Sequence, residues 1–494
     1  MDLPKALPFV HDKSLSPTHP GRNWRPEAGQ AILLGMKRTK IVATLGPSSS
    51  APDVIAAMAE AGMDVARINA SHGTAVEHEV WAGRVREVAR ALGRPLGLML
   101  DTRGPEVRVG ELPQPISLSP GEEVLLGERG IPVNYGGLVE DVPVGAEVFL
   151  ADGSILLRVT GKERGALRCR VERGGRLGPG KRVSVPGVRL ALPPLPPADR
   201  ESLRLARELS FEFVALSFVQ GPEDVEAARQ ELGPGPWLVA KVETQAAVQD
   251  MARIVAAADG AMVARGDLGV EVDLFRVPLV QRRLVDLCNS HAKPVVVATQ
   301  MLESMVNSPV PTRAEVADVA AAVWDGADGV MLSEETAVGR YPVEAVRAMA
   351  CASRAAESGE VEIRVPGLVP ELVGQVPAAI ARAACQIAEE IRAAAIVCAT
   401  FSGWTARLLS SFRSKVPIVA TTPVEETVRR LTLVWGVIPL KIDRQDTPDA
   451  LAAAAVATAK GEGLISPGDR VVFTAGLPFW QAGTTNLVRV LEVS

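Results

Sequence analysis

The 494-residue chain contains 47% apolar and 22% charged residues and carries a formal net charge of −5. This composition is typical of a soluble globular protein of about three domains, with no bias toward nucleic acid or membrane surfaces. Five scattered cysteines without a CxxC pair indicate a reducing cytosol rather than a disulfide framework, and no apolar run reaches the ~18 residues of a membrane helix. We therefore expect a cytoplasmic protein.

The first 36 residues form a Pro-rich segment with neither a helical nor a strand period. The segment also lacks the apolar core of a secretory signal. We predict a loose N-terminal arm over residues 1–36, and Met36 fits a translation start equally well.

From residue 37 onward, short β-branched runs alternate with amphipathic, helix-period segments. One such segment opens with Thr312 and Glu315 in capping-box spacing. Eight such units predict a parallel (β/α)8 TIM barrel over residues 37–104 and 188–358, although the alternation alone also fits a doubly wound open sheet. The runs span residues 39–46, 64–70, 95–102, 211–218, 237–243, 260–267, 293–300 and 326–333.

Two further domains are predicted around this alternation. The third and fourth runs are separated by residues 103–210, far more than a normal βα loop contains. Short strand-like runs and a hairpin signal at Asp152-Gly153 predict an inserted small β-barrel domain over residues 105–187, a lid on the C-terminal face of the barrel. A new strand–helix alternation predicts an open-sheet α/β domain over residues 370–494.

Polar residues follow the predicted barrel strands at their C-terminal ends, where the active sites of such barrels lie. Because residues i and i+2 of a strand point to the same side, Lys241 and Glu243 share one space. If the strands close into one barrel, Arg67, Asp267 and Thr299 face that space as well.

This mixture of side chains limits the chemistry. Glu243 and Asp267 offer an oxygen-only site that suits Mg²⁺ or Mn²⁺ rather than Zn²⁺. Lys241 and Arg67 add the positive charge that phosphoryl transfer requires, and Gly266 allows the backbone to approach a ligand. Taken alone, Lys241 and Glu243 also fit a structural ion pair at a strand end, and Asp267 fits a turn residue in GDLG, but the coincidence of five such residues at strand ends favours a site.

The residues that follow the strands are similar to those of a known family. The segments RTKIVATLGPSS, MDVARINASHG, LDTRGPEVRVG, AKVETQ, VARGDLGVE and ATQMLESM closely resemble pyruvate kinase, in order and spacing, from about residue 38 to the C-terminus. The resemblance implies the same three-domain architecture. It also implies transfer of a phosphoryl group from phosphoenolpyruvate to ADP, giving pyruvate and ATP, the last step of glycolysis.

The resemblance also implies individual roles. Lys241, Arg67 and Thr299 would be catalytic, and with Gly266 and Asp267 they would bind phosphoenolpyruvate. Glu243 and Asp267 would hold Mg²⁺, and Asn69, Ser71, Asp101 and Thr102 would hold K⁺. Asn69, His72, Arg108 and Lys181 would contact the nucleotide. Glu106 accompanies K⁺ dependence in the family, so we expect activation by K⁺.

The resemblance further implies regulation and assembly. Thr400, Ser402, Gly403 and Thr405 lie between a predicted strand and a helix, where free N–H groups and hydroxyls form a phosphate cradle. They resemble the effector loop of the family, although a simple helix cap is the alternative. Few basic residues flank the final loop, so we expect AMP or a sugar monophosphate rather than a bisphosphate. We also expect a homotetramer.

Two other functions stay open. One is a metal-dependent lyase or aldolase that acts on pyruvate or oxaloacetate, which would not need the inserted domain, Arg108 or Lys181. The other is a catalytically inactive phosphoenolpyruvate-binding regulator, against which the intact set of Lys241, Glu243 and Asp267 argues.

Overall fold

The computed structural model describes residues 37–478, 481 and 483–494. The predicted N-terminal arm over residues 1–36 and the alternative start at Met36 lie outside these residues. In the part of the chain that is described, no helix has both the length and the apolar character needed to cross a bilayer.

The first part of the barrel follows the predicted strand–helix order. Helix α2 begins with a capping box, in which Thr74 accepts from the backbone of Glu77 and the Glu77 carboxylate accepts from the backbone of Thr74. The elements are β1 (Lys40–Thr44), α1 (Pro52–Ala61), β2 (Val65–Asn69), α2 (Ala75–Ala91) and β3 (Gly97–Asp101).

The insertion after β3 has its own sheet and its own core. Its five-stranded antiparallel sheet has the order β10-β6-β7-β8-β5, beside a β4–β9 ribbon. Isolated bridges at Arg108–Arg182, Val109–Val133 and Leu126–Ile131 join the two edges of the sheet. The elements are β4 (Ile116–Leu118), β5 (Glu123–Gly127), α3 (Leu138–Asp141), β6 (Glu147–Leu150), β7 (Ile155–Glu163), β8 (Ala166–Arg173), β9 (Gly175–Leu177) and β10 (Val183–Ser184).

The second part of the barrel closes the sheet. The eight parallel strands form a ring in the order β1-β15-β14-β13-β12-β11-β3-β2, which confirms the predicted closed barrel and excludes the doubly wound alternative. The elements are α4 (Pro197–Glu208), β11 (Phe213–Leu216), α5 (Pro222–Leu232), β12 (Trp237–Val242), α6 (Gln245–Gln249), α7 (Met251–Ala257), β13 (Gly260–Ala264), α8 (Arg265–Glu271), α9 (Val277–Ser290), β14 (Val295–Ala298), α10 (Arg313–Asp325), β15 (Gly329–Leu332), α11 (Glu334–Ala337) and α12 (Pro342–Ala356).

Alternate residues of each barrel strand pack on opposite faces. In β12, Leu238 and Ala240 belong to the cluster between the strands and the surrounding helices. Trp237 and Val239 belong to a second cluster inside the barrel, which continues into the core of the C-terminal domain. The inner face is therefore apolar at the N-terminal ends of the strands, and its polar residues lie toward the C-terminal ends.

The C-terminal domain is the predicted open-sheet α/β unit. Its sheet has the order β18-β17-β16-β19-β20, and only β20 is antiparallel to its neighbour. The elements are α13 (Val376–Glu390), β16 (Ala395–Ala399), α14 (Trp404–Ser411), β17 (Ile418–Thr422), α15 (Glu425–Arg430), β18 (Val437–Lys441), α16 (Pro448–Gly461), β19 (Arg470–Gly476) and β20 (Thr485–Glu492).

A buried arginine ties the C-terminal domain to the barrel. Arg413 donates to Asn289 Oδ1 and to the carbonyl of Gly326, each at 2.7 Å, and lies 3.0 Å from Asp328 Oδ2. The backbone N–H of Trp435 donates to the other oxygen of Asp328 at 3.1 Å. Both donors belong to the C-terminal domain, so Asp328, which directly precedes β15 of the barrel, accepts hydrogen bonds from across the interface.

We predict that Arg413→Met lowers the free energy of unfolding by about 3–5 kcal/mol, because it leaves the Asp328 carboxylate buried without its cation. Urea unfolding followed by tryptophan fluorescence measures this change. Arg347→Met, on an exposed position of α12, is the matched control. A loss below about 1 kcal/mol, the range of exposed ion pairs, would contradict the assigned role.

Candidate active site

Charged and hydroxyl side chains from five neighbouring strands meet at the C-terminal mouth of the barrel. They continue the inward-facing positions of their strands: Lys241 follows Trp237 and Val239 by the period of two. We call this set the mouth cluster. Its members are Thr44, Arg67, Asp101, Ser217, Lys241 and Glu243, all of them buried.

Lys241 lies at the centre of the mouth cluster. Its ammonium group lies 3.0 Å from Asp101 Oδ1 and 2.9 Å from Glu243 Oε1, and it donates to Ser217 Oγ at 2.7 Å. Burial lowers the pKa of the ammonium group, but the two carboxylates outweigh this effect and raise it above the ordinary value. The ammonium group is therefore fixed as a cation.

Glu243 is fully buried beside Lys241. Its Oε2 accepts from the backbone N–H of Phe218 at 2.6 Å. Its Oε1 lies within ion-pair distance of Lys241 but without hydrogen-bond geometry, so this oxygen has an unused acceptor site. Burial raises the pKa of Glu243 to about 7; Lys241 opposes the rise, and Asp267 and Asp101 add to it.

Arg67 and Asp101 form the second ion pair of the mouth cluster. Arg67 Nε lies 2.7 Å from Asp101 Oδ2, and another nitrogen of the guanidinium donates to Thr44 Oγ1 at 2.9 Å. Burial disfavours the Asp101 carboxylate, but Arg67 and Lys241 outweigh burial and lower its pKa. Asp101 thus joins the two cations into one network.

Thr299 and Gly266 meet on the other side of the mouth. Thr299 has a backbone φ of +65°, an uncommon value for a β-branched residue. Its hydroxyl accepts from the N–H of Gly266 at 2.8 Å and donates to the carbonyl of Ala298 at 2.7 Å. The unusual conformation at the end of β14 thereby directs the threonine hydroxyl to the start of α8.

Asp267, in the first turn of α8, contacts the inserted domain. Its carboxylate is paired with the guanidinium of Arg182, which precedes β10. The same guanidinium lies 3.9 Å from Glu271 Oε1 and 4.4 Å from the centre of the Phe218 ring. The inserted domain therefore reaches the predicted metal ligand through Arg182 and not through the neighbouring Lys181, whose side chain is exposed.

The four residues expected to hold K⁺ lie at the ends of the adjacent strands β2 and β3. Asn69 pairs with Asp101 in the barrel register, and Asn69 Oδ1 accepts from the N–H of Ser71 at 3.0 Å. Thr102 Oγ1 accepts from the N–H of Ser217 at 3.2 Å. These residues bring several oxygen atoms together beside the mouth cluster.

The residues expected to contact a nucleotide are spread around the rim. His72 is exposed after β2, and Lys181 is exposed on the inserted domain. Arg108 Nε donates to Glu106 Oε2 at 2.9 Å, and another guanidinium nitrogen donates to the carbonyl of Gly180. In this arrangement Glu106, the residue expected to accompany K⁺ dependence, neutralises Arg108.

The donor set at the mouth fits a hard divalent cation. Glu243 and Asp267 supply carboxylate oxygens only, and the free acceptor site of Glu243 Oε1 is the kind of buried oxygen that a cation would satisfy. No group of three or more His, Cys, Asp or Glu residues arranged for a metal occurs among residues 37–478, 481 and 483–494. The protein would thus supply two ligands and leave positions for substrate oxygens and water.

The predicted effector residues surround a small cavity in the C-terminal domain. Thr400 Oγ1 accepts from the N–H of Gly403 at 3.1 Å, and the hydroxyls of Thr405 and Thr485 lie 2.7 Å apart. Ser402 also lines the cavity, whose volume of about 20 Å³ holds roughly one water molecule.

Comparison with known proteins identifies the family. The family model of the pyruvate kinase barrel domain matches residues 36–346, and that of the pyruvate kinase alpha/beta domain matches residues 378–491. The chain belongs to the pyruvate kinase family. A pyruvate kinase of Geobacillus stearothermophilus is 41% identical over 93% of this chain and 81% of its own length. Those of Staphylococcus epidermidis and Sporosarcina psychrophila are 40% and 39% identical, over 92% of this chain and 80% of their own lengths.

The family resemblance drawn from the sequence motifs is confirmed, but three residues around the mouth were missed. Ser217 and Thr44 stand at inward positions of β11 and β1, so the period of two within each strand contains the signal for both. Arg182 gave no usable signal, because its partner Asp267 is 85 positions away in the chain.

We predict that Ser217→Ala lowers kcat in a pyruvate kinase assay about tenfold, because a hydrogen bond to a charged group contributes about 1.5–3 kcal/mol and here orients Lys241. The KM for phosphoenolpyruvate should change less, since the two ion pairs of Lys241 persist. Ser217→Thr, which keeps the hydroxyl, should restore most of the rate. Equal rates for the alanine variant and the wild type would show that Ser217 does not position Lys241.

Proposed function

We propose that the chain transfers the phosphoryl group of phosphoenolpyruvate to ADP with the help of Mg²⁺ and K⁺. The observation that carries this proposal is the fixed ammonium group of Lys241, held between Asp101, Glu243 and Ser217 at the barrel mouth. Phosphoryl transfer depends on positioning and charge neutralisation more than on covalent catalysis. A buried cation with three partners meets both needs.

In this proposal the cations of the mouth act on the transferred group. Lys241 stabilises the charge of the phosphoryl group as its bond to the enol oxygen breaks and a bond to a β-phosphate oxygen of ADP forms. Arg67 clamps the same group from β2. Because Arg67 and Lys241 are both held by Asp101, the two cations keep a fixed spacing during transfer.

Glu243 and Asp267 would hold the divalent ion, which supplies Lewis-acid neutralisation of phosphate and carboxylate oxygens. The backbone N–H of Phe218 orients Glu243 for this task, because it occupies Oε2 and leaves Oε1, beside the Lys241 ammonium group, without a hydrogen-bond donor. The free N–H groups in the first turn of α8 would bind the carboxylate of phosphoenolpyruvate, whereas the N–H of Gly266 already donates to Thr299 Oγ1 beside them.

Transfer leaves the enolate of pyruvate, which must take a proton at its methylene carbon. Thr299 is the candidate side chain beside that carbon. Its hydroxyl is fixed by Gly266 and Ala298, so it can order the proton donor without a change of rotamer. We assign Asn69, Ser71, Asp101 and Thr102 to K⁺, and Asn69, His72, Arg108 and Lys181 to the nucleotide.

The proposal includes regulation and assembly. Thr400, Ser402, Gly403 and Thr405 would receive the phosphate of an activating metabolite, for which AMP or a sugar monophosphate remains our choice. Arg444, whose guanidinium lies 5.9 Å from the Phe401 ring centre, is a cation beside this loop. The few basic residues in the sequence around the final loop suit one phosphate better than two. We also propose a cytoplasmic homotetramer.

Phosphoryl transfer is favoured over the lyase or aldolase alternative by the inserted domain. A lyase acting on pyruvate or oxaloacetate does not need an inserted domain whose arginine contacts the proposed metal-binding carboxylate. A phosphoryl-transfer site, in contrast, has to exclude water and bind polyanions. The contact between Arg182 and Asp267 supports this preference. The inactive regulator is disfavoured by the complete mouth cluster.

We predict that Lys241→Met lowers kcat for ATP formation from phosphoenolpyruvate and ADP by about a hundredfold to a thousandfold, because it removes an electrostatic stabiliser of the transferring group. A coupled ATP assay measures this loss. Lys241→Arg keeps the charge without the compact geometry and should retain partial activity. Lys162→Met, at an exposed position, is the control.

Two outcomes would contradict the assignment. Undiminished ATP formation by a folded Lys241→Met variant would remove Lys241 from the mechanism. Metal-dependent cleavage of oxaloacetate by the wild type, without ATP formation from phosphoenolpyruvate and ADP, would favour the lyase.

We predict K⁺ activation, tested by steady-state kinetics with and without K⁺ across a panel of AMP, sugar monophosphates and fructose 1,6-bisphosphate. Full activity in tetramethylammonium buffer free of K⁺ and Na⁺ would contradict K⁺ dependence. Glu106→Lys should weaken the response to K⁺, since it places a fixed ammonium group beside Arg108. Activation by the bisphosphate and by no monophosphate would overturn the choice of effector.

A further inference from the structure

Arg182 connects the inserted domain to the predicted metal site. Its backbone belongs to the inserted domain, where it bridges to Arg108 and its carbonyl accepts from the N–H of Ala151 at 3.1 Å. Its side chain is 9% exposed and pairs with Asp267 of the barrel. A single residue thus has its main chain in one domain and its charge in the other.

The pairing conflicts with metal binding. The guanidinium of Arg182 and a divalent cation would compete for the same Asp267 carboxylate, and at such short range the two positive charges repel. Asp267 is the more accessible partner, with 37% of its side chain exposed. A cation arriving from solvent can therefore reach Asp267 while Arg182 still occupies it.

Two other groups near Arg182 can stabilise its guanidinium once it leaves Asp267. Glu271 Oε1 lies 3.9 Å from the guanidinium, and the Phe218 ring lies beneath it at 4.4 Å. Both positions stabilise an arginine, the first by charge and the second by a cation–π contact. Displacement from Asp267 would therefore leave no unpaired buried charge.

The surrounding space allows the inserted domain to follow. A cleft of about 440 Å³ lies between the barrel and the two ends of the insertion, residues 105–107 and 182–192. Arg182, Ser184 and Glu271 line it, together with Phe218 and Thr244 of the barrel loops. Movement of Arg182 toward Glu271 would shift the inserted domain along this cleft.

We propose that Arg182 is a positioning residue that acts as the internal counter-cation of Asp267 in the metal-free protein. Binding of the divalent ion displaces Arg182 toward Glu271 and changes the position of the inserted domain. Binding of the metal ion would thus be coupled to movement of the inserted domain. This inference rests on the proposed function, because that proposal assigns the metal to Glu243 and Asp267.

The first test measures Mn²⁺ affinity without substrates, from the electron paramagnetic resonance signal of free Mn²⁺. Arg182→Gln removes the competing charge and should bind Mn²⁺ about five- to tenfold more tightly than the wild type, a usual size for coupling between two binding events. Arg170→Gln, at an exposed position of the inserted domain, should match the wild type. Arg182→Lys, which keeps a charge, should lie in between.

Unchanged or weaker Mn²⁺ binding by Arg182→Gln would overturn the inference, because a permanent structural ion pair predicts that result. Absence of Mn²⁺ binding by the wild type would instead overturn the metal assignment, and this inference with it. The two failures are thus distinguishable. If Arg182→Gln does not fold, the Mn²⁺ affinity of Arg182→Lys is compared with that of Arg170→Gln, and equal affinities would overturn the inference.

The second test follows the inserted domain directly. Of the cysteines, Cys351 is exposed and the other four are buried, so Lys162→Cys adds one labelling site on the insertion. Pulsed dipolar spectroscopy between the two spin labels should show a distance change when Mg²⁺ is added. In the Arg182→Gln background, the Mg²⁺-free distances should already match the Mg²⁺-bound ones. Distances that do not respond to Mg²⁺ in the otherwise unchanged protein would overturn the link to lid movement.

Discussion

The rest of the site depends on one buried ammonium group. Removing Lys241 from water is unfavourable, and it is stable as a cation because Asp101 and Glu243 lie on either side. With Arg67, the mouth cluster contains two cations and two carboxylates in contact, so buried charge is balanced before any substrate arrives. The cluster is therefore a single unit, and neutralising one member changes the environment of the other three.

The closed barrel makes this unit possible. Its interior side chains come from alternate positions, and the ring brings the ends of β1, β2, β3, β11 and β12 next to one another. In a flat open sheet, side chains on strands that are not adjacent, such as Lys241 of β12 and Asp101 of β3, would be based about 9–10 Å apart and would not converge on one interior space. The apolar layer below, with Trp237 and Val239 of β12, excludes water from the inner side and strengthens the electrostatic interactions of the mouth.

Local periodicity predicted the alternating strands and helices and the shared direction of Lys241 and Glu243, the long gap after the third strand indicated the insertion, and the strand order excluded the open sheet that the alternation also fitted. The period of two also applies to Ser217, which follows the inward-facing Phe213 and Ala215, but a single serine in the apolar run FVALSF was not recognised as part of the site. Arg182 could not be found from local pattern, since GKRV shows only that two basic residues are adjacent. Which of the two turns inward depends on how the inserted domain packs on the barrel, a long-range property.

Two arginines from outside the barrel contact elements of the mouth: Arg407 of the C-terminal domain and Arg182 of the inserted domain. The guanidinium of Arg407 in α14 lies 5.0 Å from the Trp404 ring centre and 4.8 Å from that of Trp237, and Trp237 begins β12, which contains Lys241 and directly precedes Glu243. Contiguous packing transmits a change only where an element has two discrete arrangements. Arg407 contacts two indole rings, whereas Arg182 lies within reach of two carboxylates, Asp267 and Glu271. The inserted domain is therefore better placed than the C-terminal domain to act directly on the proposed metal site, and an effector bound in the C-terminal domain would have to act by shifting the barrel strands as a body.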